Sequence, residues 1–397
     1  MRVKEKYILT DVERGIWVDH FEISSEIKNK WSIIKRTFRG GLSDGVDIVE
    51  IVNGALSFSI LPTRGMGIWR GKYNDTFLGW KSPVSGPVHP KFVHALERGG
   101  TGWLQGFDEL LVRCGLESFG APSHDVVSNA LGNEMKVALT LHGRIANLPA
   151  SLVEILIEED NLNKEILTIH GVVDEARLFG PVLRLVSRTS TVVGGNSIYI
   201  EDTIINMGGK EQEFEILYHW NLGSPLLEGG ATLITPAIEV VPRDSRAAEG
   251  IKSYHEYSAP IPGFAEQVYF YKLASNKKGD TLVMLKNKKG NKGFVCRFNL
   301  SELPCFTQWK YTSAISEGYV TGIEPGTNYP NPRPFERTRG RLLALQPNES
   351  YKINMKIEYV EGEKEVGSIE NEILQLTGHS LPKIYEVPQP EFSPPEA

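Results

Sequence analysis

The chain has 397 residues, 41% hydrophobic and 23% charged, which is ordinary globular composition with enough apolar residues to bury a large core. Its formal net charge of −6 argues against a nucleic-acid partner, which needs clustered lysine and arginine. No run of about 18 apolar residues exists and the charged start "MRVKEKYILTDVERG" has no apolar core, so neither a membrane span nor a signal peptide is expected.

Residues 1–45 are polar and read as an N-terminal extension packing on the main domain, with 23–36 ("ISSEIKNKWSIIKR") as a short helix. The chain then reads as β almost to its end. "ALSFSIL" (55–61) alternates with Leu56, Phe58 and Ile60 on one face. "MKVALTLHG", "SLVEILIEE", "EILTIHGVV", "SIYIEDTIIN" and "EFEILYHWN" come next, several separated by Gly- or Asn-rich turns. "QVYFYKLA", "TLVMLKN", "GFVCRFN", "CFTQWKYT", "GYVTGIE", "RLLALQP" and "YKINMKIEYV" complete the series. More than a dozen closely spaced strands with little helix predict an all-β, large antiparallel sandwich over 46–375. The basic runs within 276–293 read as turns joining hairpin strands. Residues 376–397 read as a proline-rich tail, loose or lying on a neighbour in a homo-oligomer. Cys114, Cys296 and Cys305 form no CxxC pair and no even framework, which fits a reduced, cytoplasmic setting.

No GxGxxG, GxxxxGK[ST] or HExxH pattern occurs, so no nucleotide, cofactor or metal is expected; His89 and His94 in "HPKFVH" lack a usual zinc spacing. Four stretches carry polar groups where a plain strand would not. In "LPTRGMGIW", Arg64 sits at a strand end before glycines that can aim it. In "LHGRIANLPA", His142 and Arg144 lie two apart, on one side of an extended chain. In "EFEILYHWNLGSP", Phe214, Ile216 and Tyr218 share one face, while His219 and Asn221 project from the other. In "YVTGIEPGTNYP", Glu324 stands where a strand breaks into a rigid loop, and Pro325 fixes the backbone that directs it. Just upstream, "TQWKYT" offers Trp309 as an apolar wall for a sugar face and Lys310 as a charge. The segment 103–125, carrying Asp108 and Arg113 and a short helix at 107–112, reads as a connection across the mouth of the sandwich. Each of these has a plain structural alternative: a core histidine, a core tryptophan, a surface arginine.

With His142, His219 and Glu324 in these blocks, the chain resembles the galactose mutarotase-like, or aldose 1-epimerase-like, proteins over roughly residues 50–360. "LHGRIANLPA" is similar to the family's histidine–glycine segment, with the arginine one place early at Arg144. "YHWNLG", "QWKYT" and "YVTGIEPGTN" are similar to its second histidine block, its tryptophan strand and its glutamate strand. "LPTRGMGI" and "GFDELLVRCGL" resemble blocks of a bacterial aldose 1-epimerase-like branch. The resemblance implies a β-supersandwich with an open sugar site, no cofactor, Glu324 as base and His219 as acid, facing each other across the sugar. It implies that His142 holds the ring oxygen or hydroxyls and that Arg64 and Arg144 bind oxygens. Asp108, Arg113, Asn221, Trp309 and Lys310 complete the expected sugar-binding set. The arginine-rich set, including "NPRPFERTRGR", hints at an acidic or phosphorylated sugar. Metal-assisted chemistry on a keto-sugar, with His89, His94 or His124 joining the site, is one alternative; a carbohydrate sensor without turnover is another.

Overall fold

A computed structural model describes residues 2–26 and 30–395. Among these residues two large sheets hold nearly all the strands. One, of ten strands, runs in the order Thr232–Ile234, Asp280–Lys286, Lys292–Asn299, Ser350–Glu361, Ser197–Asn206, Val182–Val192, Glu165–Ala176, Leu152–Glu159, Arg2–Asp11, Ile16–Trp17. The other centres on Gln267–Leu273, Cys305–Tyr311, Val320–Gly326, Gln212–Leu222, Leu111–Leu116 and Gly67–Tyr73, and continues outward on both sides. Strand neighbours are antiparallel except Ala237–Pro242 beside Lys383–Ile384.

Alternation explains the packing. Ile155, Ile169, Leu185 and Ile200 of the first sheet meet Ile51, Phe58, Ile60, Ile216, Tyr218 and Ile323 of the second in one core. The outer face of the first sheet is partly covered by the helix Glu363–Leu376, whose Val366 and Ile373 pack on Leu282, Met284 and Val295. No helix among the described residues is long and apolar enough to cross a membrane.

Four local expectations differ. Residues 23–36 form no helix: Phe21–Ser24 and Ser32–Thr37 pair as antiparallel strands, favoured by Ile23, Ile33 and Ile34, and 27–29 lie outside the described residues. Residues 107–112 are likewise not helical. The Glu109 carbonyl accepts from Trp80 Nε1 and Asn221 Nδ2, both at 3.0 Å, so side chains rather than a helix satisfy this backbone. Of the two basic turns, the one after Asn287 closes a hairpin, whereas the one after Asn276 carries the chain from one sheet to the other. The proline-rich end docks on its own chain: Lys383–Ile384 adds to Ala237–Pro242, and Phe392 is buried against Tyr329.

Candidate active site

The strand Gln212–Leu222 sends Phe214, Ile216, Tyr218 and Trp220 into the core between the sheets. The alternate residues, among them Leu217 and His219, face outward. There the connections around 80–107 and 119–146 fold over the sheet and form a second apolar cluster with Trp80, Trp103, Phe107, Phe119 and Ala146. A cavity of about 310 Å³ opens beside it.

His142, His219 and Glu324, separated in sequence by 77 and 105 residues, all line this cavity. Trp103, Phe107, Thr307 and Trp309 complete its inner wall, with Arg243 and Glu266 on the more exposed side. His219 and Glu324 come from neighbouring antiparallel strands and are 3% and 2% exposed. His219 Nε2 lies 3.2 Å from Glu324 Oε1. The His142 and His219 rings meet edge to face at 5.3 Å, and Phe107 and Trp309 stand 5.3 and 5.5 Å from the His219 ring. Gly322 makes this approach possible: a Cβ there would sit 2.3 Å from Glu324 Oε1 and 3.0 Å from His219 Cε1.

His142 is held in the left-handed region at φ 57°, uncommon for a residue with a side chain. Its N–H donates to the Phe119 carbonyl (3.1 Å) and its own carbonyl accepts from Gly115 N–H (3.2 Å). The following Gly143 must be glycine, because a Cβ would meet Ser118 O at 2.0 Å. His142 Nδ1 lies 3.2 Å from Phe119 O; a carbonyl only accepts, so Nδ1 carries the proton and Nε2 keeps its lone pair. A strained conformation fixed from several sides is a feature of functional positions.

Burial dominates the electrostatics. It pushes the Glu324 carboxyl well above the usual carboxylate range, helped by the negative Glu266 and opposed by Arg243. It pushes His219 well below the usual imidazole range, helped by His142, and pushes His142 down to about 4, opposed by the Phe119 carbonyl. Burial thus favours the neutral form of the carboxyl and of both imidazoles. Trp103 Nε1, His219 Nδ1, Thr307 Oγ1 and Glu324 Oε1 are buried and lack a hydrogen-bond partner among the described residues. Buried polar groups are normally paired, so four orphans on residues of one cavity make it the candidate site for a polar ligand.

Trp309 lines the cavity, where its Nε1 donates to Glu266 (2.8 Å). The remaining expected sugar-binding residues lie elsewhere. Arg64 is saturated by Glu109, the Val88 and Gly106 carbonyls and Asn147, and so ties together the connections over the sheet. Arg113 points between the sheets, onto Asp202, Ser187 and the Met66 carbonyl. Asp108 is buried under Trp69, with its carboxyl pushed up to about 8 by burial and by Glu109. Asn221 donates to the Glu109 and His219 carbonyls. Lys310 faces the core, on the Ser253 and Glu256 carbonyls. Arg144 is exposed beyond the cavity lining, because the backbone turns at His142 and Gly143 instead of running extended.

Three of the four arginines after Asn331 are engaged as well, and the fourth, Arg339, is exposed against Phe335. Arg333 and Arg337 bind Asp125 and Glu213, and Arg341 binds Glu336. His89, His94 and His124 lie outside the cavity, and among the described residues no three His, Cys, Asp or Glu side chains are grouped to hold a metal.

Sequence reasoning missed Trp103, Phe107, Thr307, Arg243 and Glu266. Thr307 was accessible, since it lies two residues before Trp309 on the same strand face. Arg243 and Glu266 flank the facing ends of two paired strands, Ala237–Pro242 and Gln267–Leu273, and bind each other at 2.9 Å.

A family model described as a domain of unknown function, DUF4432, matches residues 43–359. A "putative aldose 1-epimerase" from Klebsiella pneumoniae is 32% identical, with a TM-score of 0.89 over 97% of this chain and 98% of its own. A galactose mutarotase-like protein from Clostridium acetobutylicum (15% identity, TM-score 0.57, 86% of this chain and 99% of its own) shares the fold. So does a "putative aldose 1-epimerase" from Escherichia coli K12 (13%, 0.52, 80% and 100%). No curated protein matches. A fold of two large, mainly antiparallel sheets, a family model spanning most of the chain and a near full-length relative lead to one assignment: the chain belongs to the DUF4432 family and shares the fold of galactose mutarotase-like proteins.

Proposed function

We propose that the protein interconverts the anomers of an aldose by acid/base ring opening at His219 and Glu324. The observation that carries this is the buried 3.2 Å contact between an imidazole and a carboxyl whose burial favours the neutral form of each, beside unpartnered polar atoms. Anomer exchange needs a base for the O1 proton and an acid for the ring oxygen, both within hydrogen-bond reach. The two oxygens are bonded to the same carbon. Acid and base can therefore stand side by side, rather than across the sugar as the sequence suggests.

The proton count balances. One member takes the proton of the anomeric hydroxyl, and the other delivers its own to the ring oxygen. The bond from C1 to the ring oxygen breaks as C1=O1 forms. Rotation about C1–C2 and the reverse transfers close the ring on the other face. The assignment by resemblance, Glu324 as base, requires the carboxyl proton to pass to His219 when sugar binds. That transfer leaves the pair's net charge unchanged. His142, with Nε2 unprotonated, accepts from a sugar hydroxyl, and Trp309 and Phe107 flank the apolar side of the ring.

The test is anomer exchange by saturation-transfer NMR over a panel of aldoses, wild type against Glu324→Gln. The substitution is expected to lower turnover by about 10²–10⁴-fold while binding survives, the range for loss of a general acid/base. A variant with a near wild-type rate on a sugar the wild type accelerates refutes the assignment.

A further inference from the structure

Both large sheets end in short strands: Ile16–Trp17, Phe21–Ser24, Thr232–Ile234 and Lys383–Ile384 have two to four residues. Short edges limit unwanted pairing. The two-stranded ribbon Ser123–Ser128/Glu134–Leu139 differs. It belongs to neither large sheet, and each of its strands has six residues. Its first strand is tied to the helix Arg333–Thr338 through Asp125, Arg333 and Arg337. Its second strand forms the outer edge, and Glu134, Met135, Lys136 and Ala138 are exposed.

The hydrogen-bond parity of this edge is fixed. Asn129 N–H donates to Asn133 O at 2.8 Å in the same register as the ribbon. Antiparallel pairs alternate between bonded and non-bonded, so the N–H and C=O groups of Glu134, Lys136 and Ala138 point outward. They find no backbone partner among the described residues. On one face, Val127, Met135 and Val137 line a groove of about 630 Å³ with Leu178 and Phe179, which are 84% and 68% exposed. An isolated two-stranded ribbon is marginal in water and gains from added strands.

We propose that this edge is a docking surface for a second copy of the chain, pairing antiparallel across a twofold axis at Met135 to make a four-stranded sheet. Only registers that face the outward residues toward one another can form bonds. Centring on Lys136 sets the two lysines directly opposite each other, which is unfavourable. Centring on Met135 sets Glu134 opposite the partner's Lys136, and Lys136 opposite the partner's Glu134. Two ion pairs then form by symmetry, as an isologous contact requires. Met135 meets the partner's Met135 in a non-bonded pair, where side chains approach most closely, beside the apolar part of the groove formed by Val127, Val137, Leu178 and Phe179. A lysine that would guard a solitary edge is complemented in this register. The ribbon leaves the cavity lining at Pro122 and returns to it at Leu141, so the interface is continuous with one wall of the active site.

Sedimentation velocity over a dilution series tests the register. The wild type is expected to dimerise. Lys136→Glu and Glu134→Lys, each setting like charges opposite at both symmetry-related positions, weaken the dimer by about tenfold or more. The double variant Glu134→Lys/Lys136→Glu restores the wild-type constant. All substituted side chains are exposed, so far-UV circular dichroism should be unchanged and serves as the folding control. A wild type that stays monomeric at every concentration overturns the proposal. So does a dimer indifferent to the single changes, or a double variant as weak as the singles.

Discussion

Gly322→Ala probes the proposed acid/base pair without removing any group that takes part in it. Gly322 does not have a positive φ, so alanine fits the backbone. The new Cβ would stand 2.3 Å from Glu324 Oε1, 3.0 Å from His219 Cε1 and 3.1 Å from the Trp309 Cβ. Ordinary carbon contacts need about 3.5 Å. The carboxyl must therefore shift by about 1 Å, which disturbs its 3.2 Å contact with His219. A displacement of about 1 Å in a reacting group costs on the order of 10²-fold in rate, or about 2.7 kcal/mol of barrier. The fold should hardly notice, because replacing a strand glycine contributes about 0.5–1 kcal/mol that offsets the crowding. The measurement is kcat/KM for anomer exchange together with Tm. The expected result is a rate about a hundredfold lower at nearly unchanged Tm. A rate within about threefold of wild type at unchanged Tm would refute the idea that the His219–Glu324 contact carries the reaction.

Two further changes test residues placed outside the cavity. Arg113→Met strands Asp202 as a buried charge between the sheets and should cost about 3–5 kcal/mol in urea unfolding; adding Asp202→Leu should recover much of it. An equal loss in both variants would refute the ion-pair argument. Glu215 concerns pH. Burial pushes its carboxyl up to about 8 from 4.5, so the folded state keeps a proton that the unfolded chain gives up. Its stabilising effect is complete below pH 4.5 and falls by about 1.4 kcal/mol per unit up to about 8. His142, lowered to about 4 from 6.5, has the opposite sense: its contribution is complete above 6.5 and is lost as pH falls toward 4. Glu215→Gln should flatten the decline between pH 6.5 and 8 in denaturant titrations, and an unchanged slope would refute the assignment.

Strand alternation explains what could be read in advance and what could not. It separates His219 from Tyr218 and Trp220 because the side-chain period is two and one face is fully buried. The same rule forbids Trp309 and Lys310, adjacent on one strand, from facing one cavity; the structure turns Trp309 outward and Lys310 to the core. It also puts Arg113 on the face of Leu111, a core residue. What alternation cannot supply is the partner that makes a buried arginine tolerable. Asp202 lies 89 residues from Arg113 and on the opposite sheet. An arginine aimed at substrate and one aimed at a buried aspartate look alike in sequence, because both interrupt an apolar run with a cation.

The two classes do separate physically. Arg64 and Arg113 have acceptors on all three guanidinium nitrogens, as a structural cation needs once water is removed. The reacting candidates show the reverse: His219 Nδ1 and Glu324 Oε1 are buried and unsatisfied. Unpartnered buried polar atoms also occur elsewhere in this chain, so it is their grouping on residues of one cavity that marks the candidate site. A sugar, with hydroxyls that both donate and accept, is the kind of ligand that can complete them.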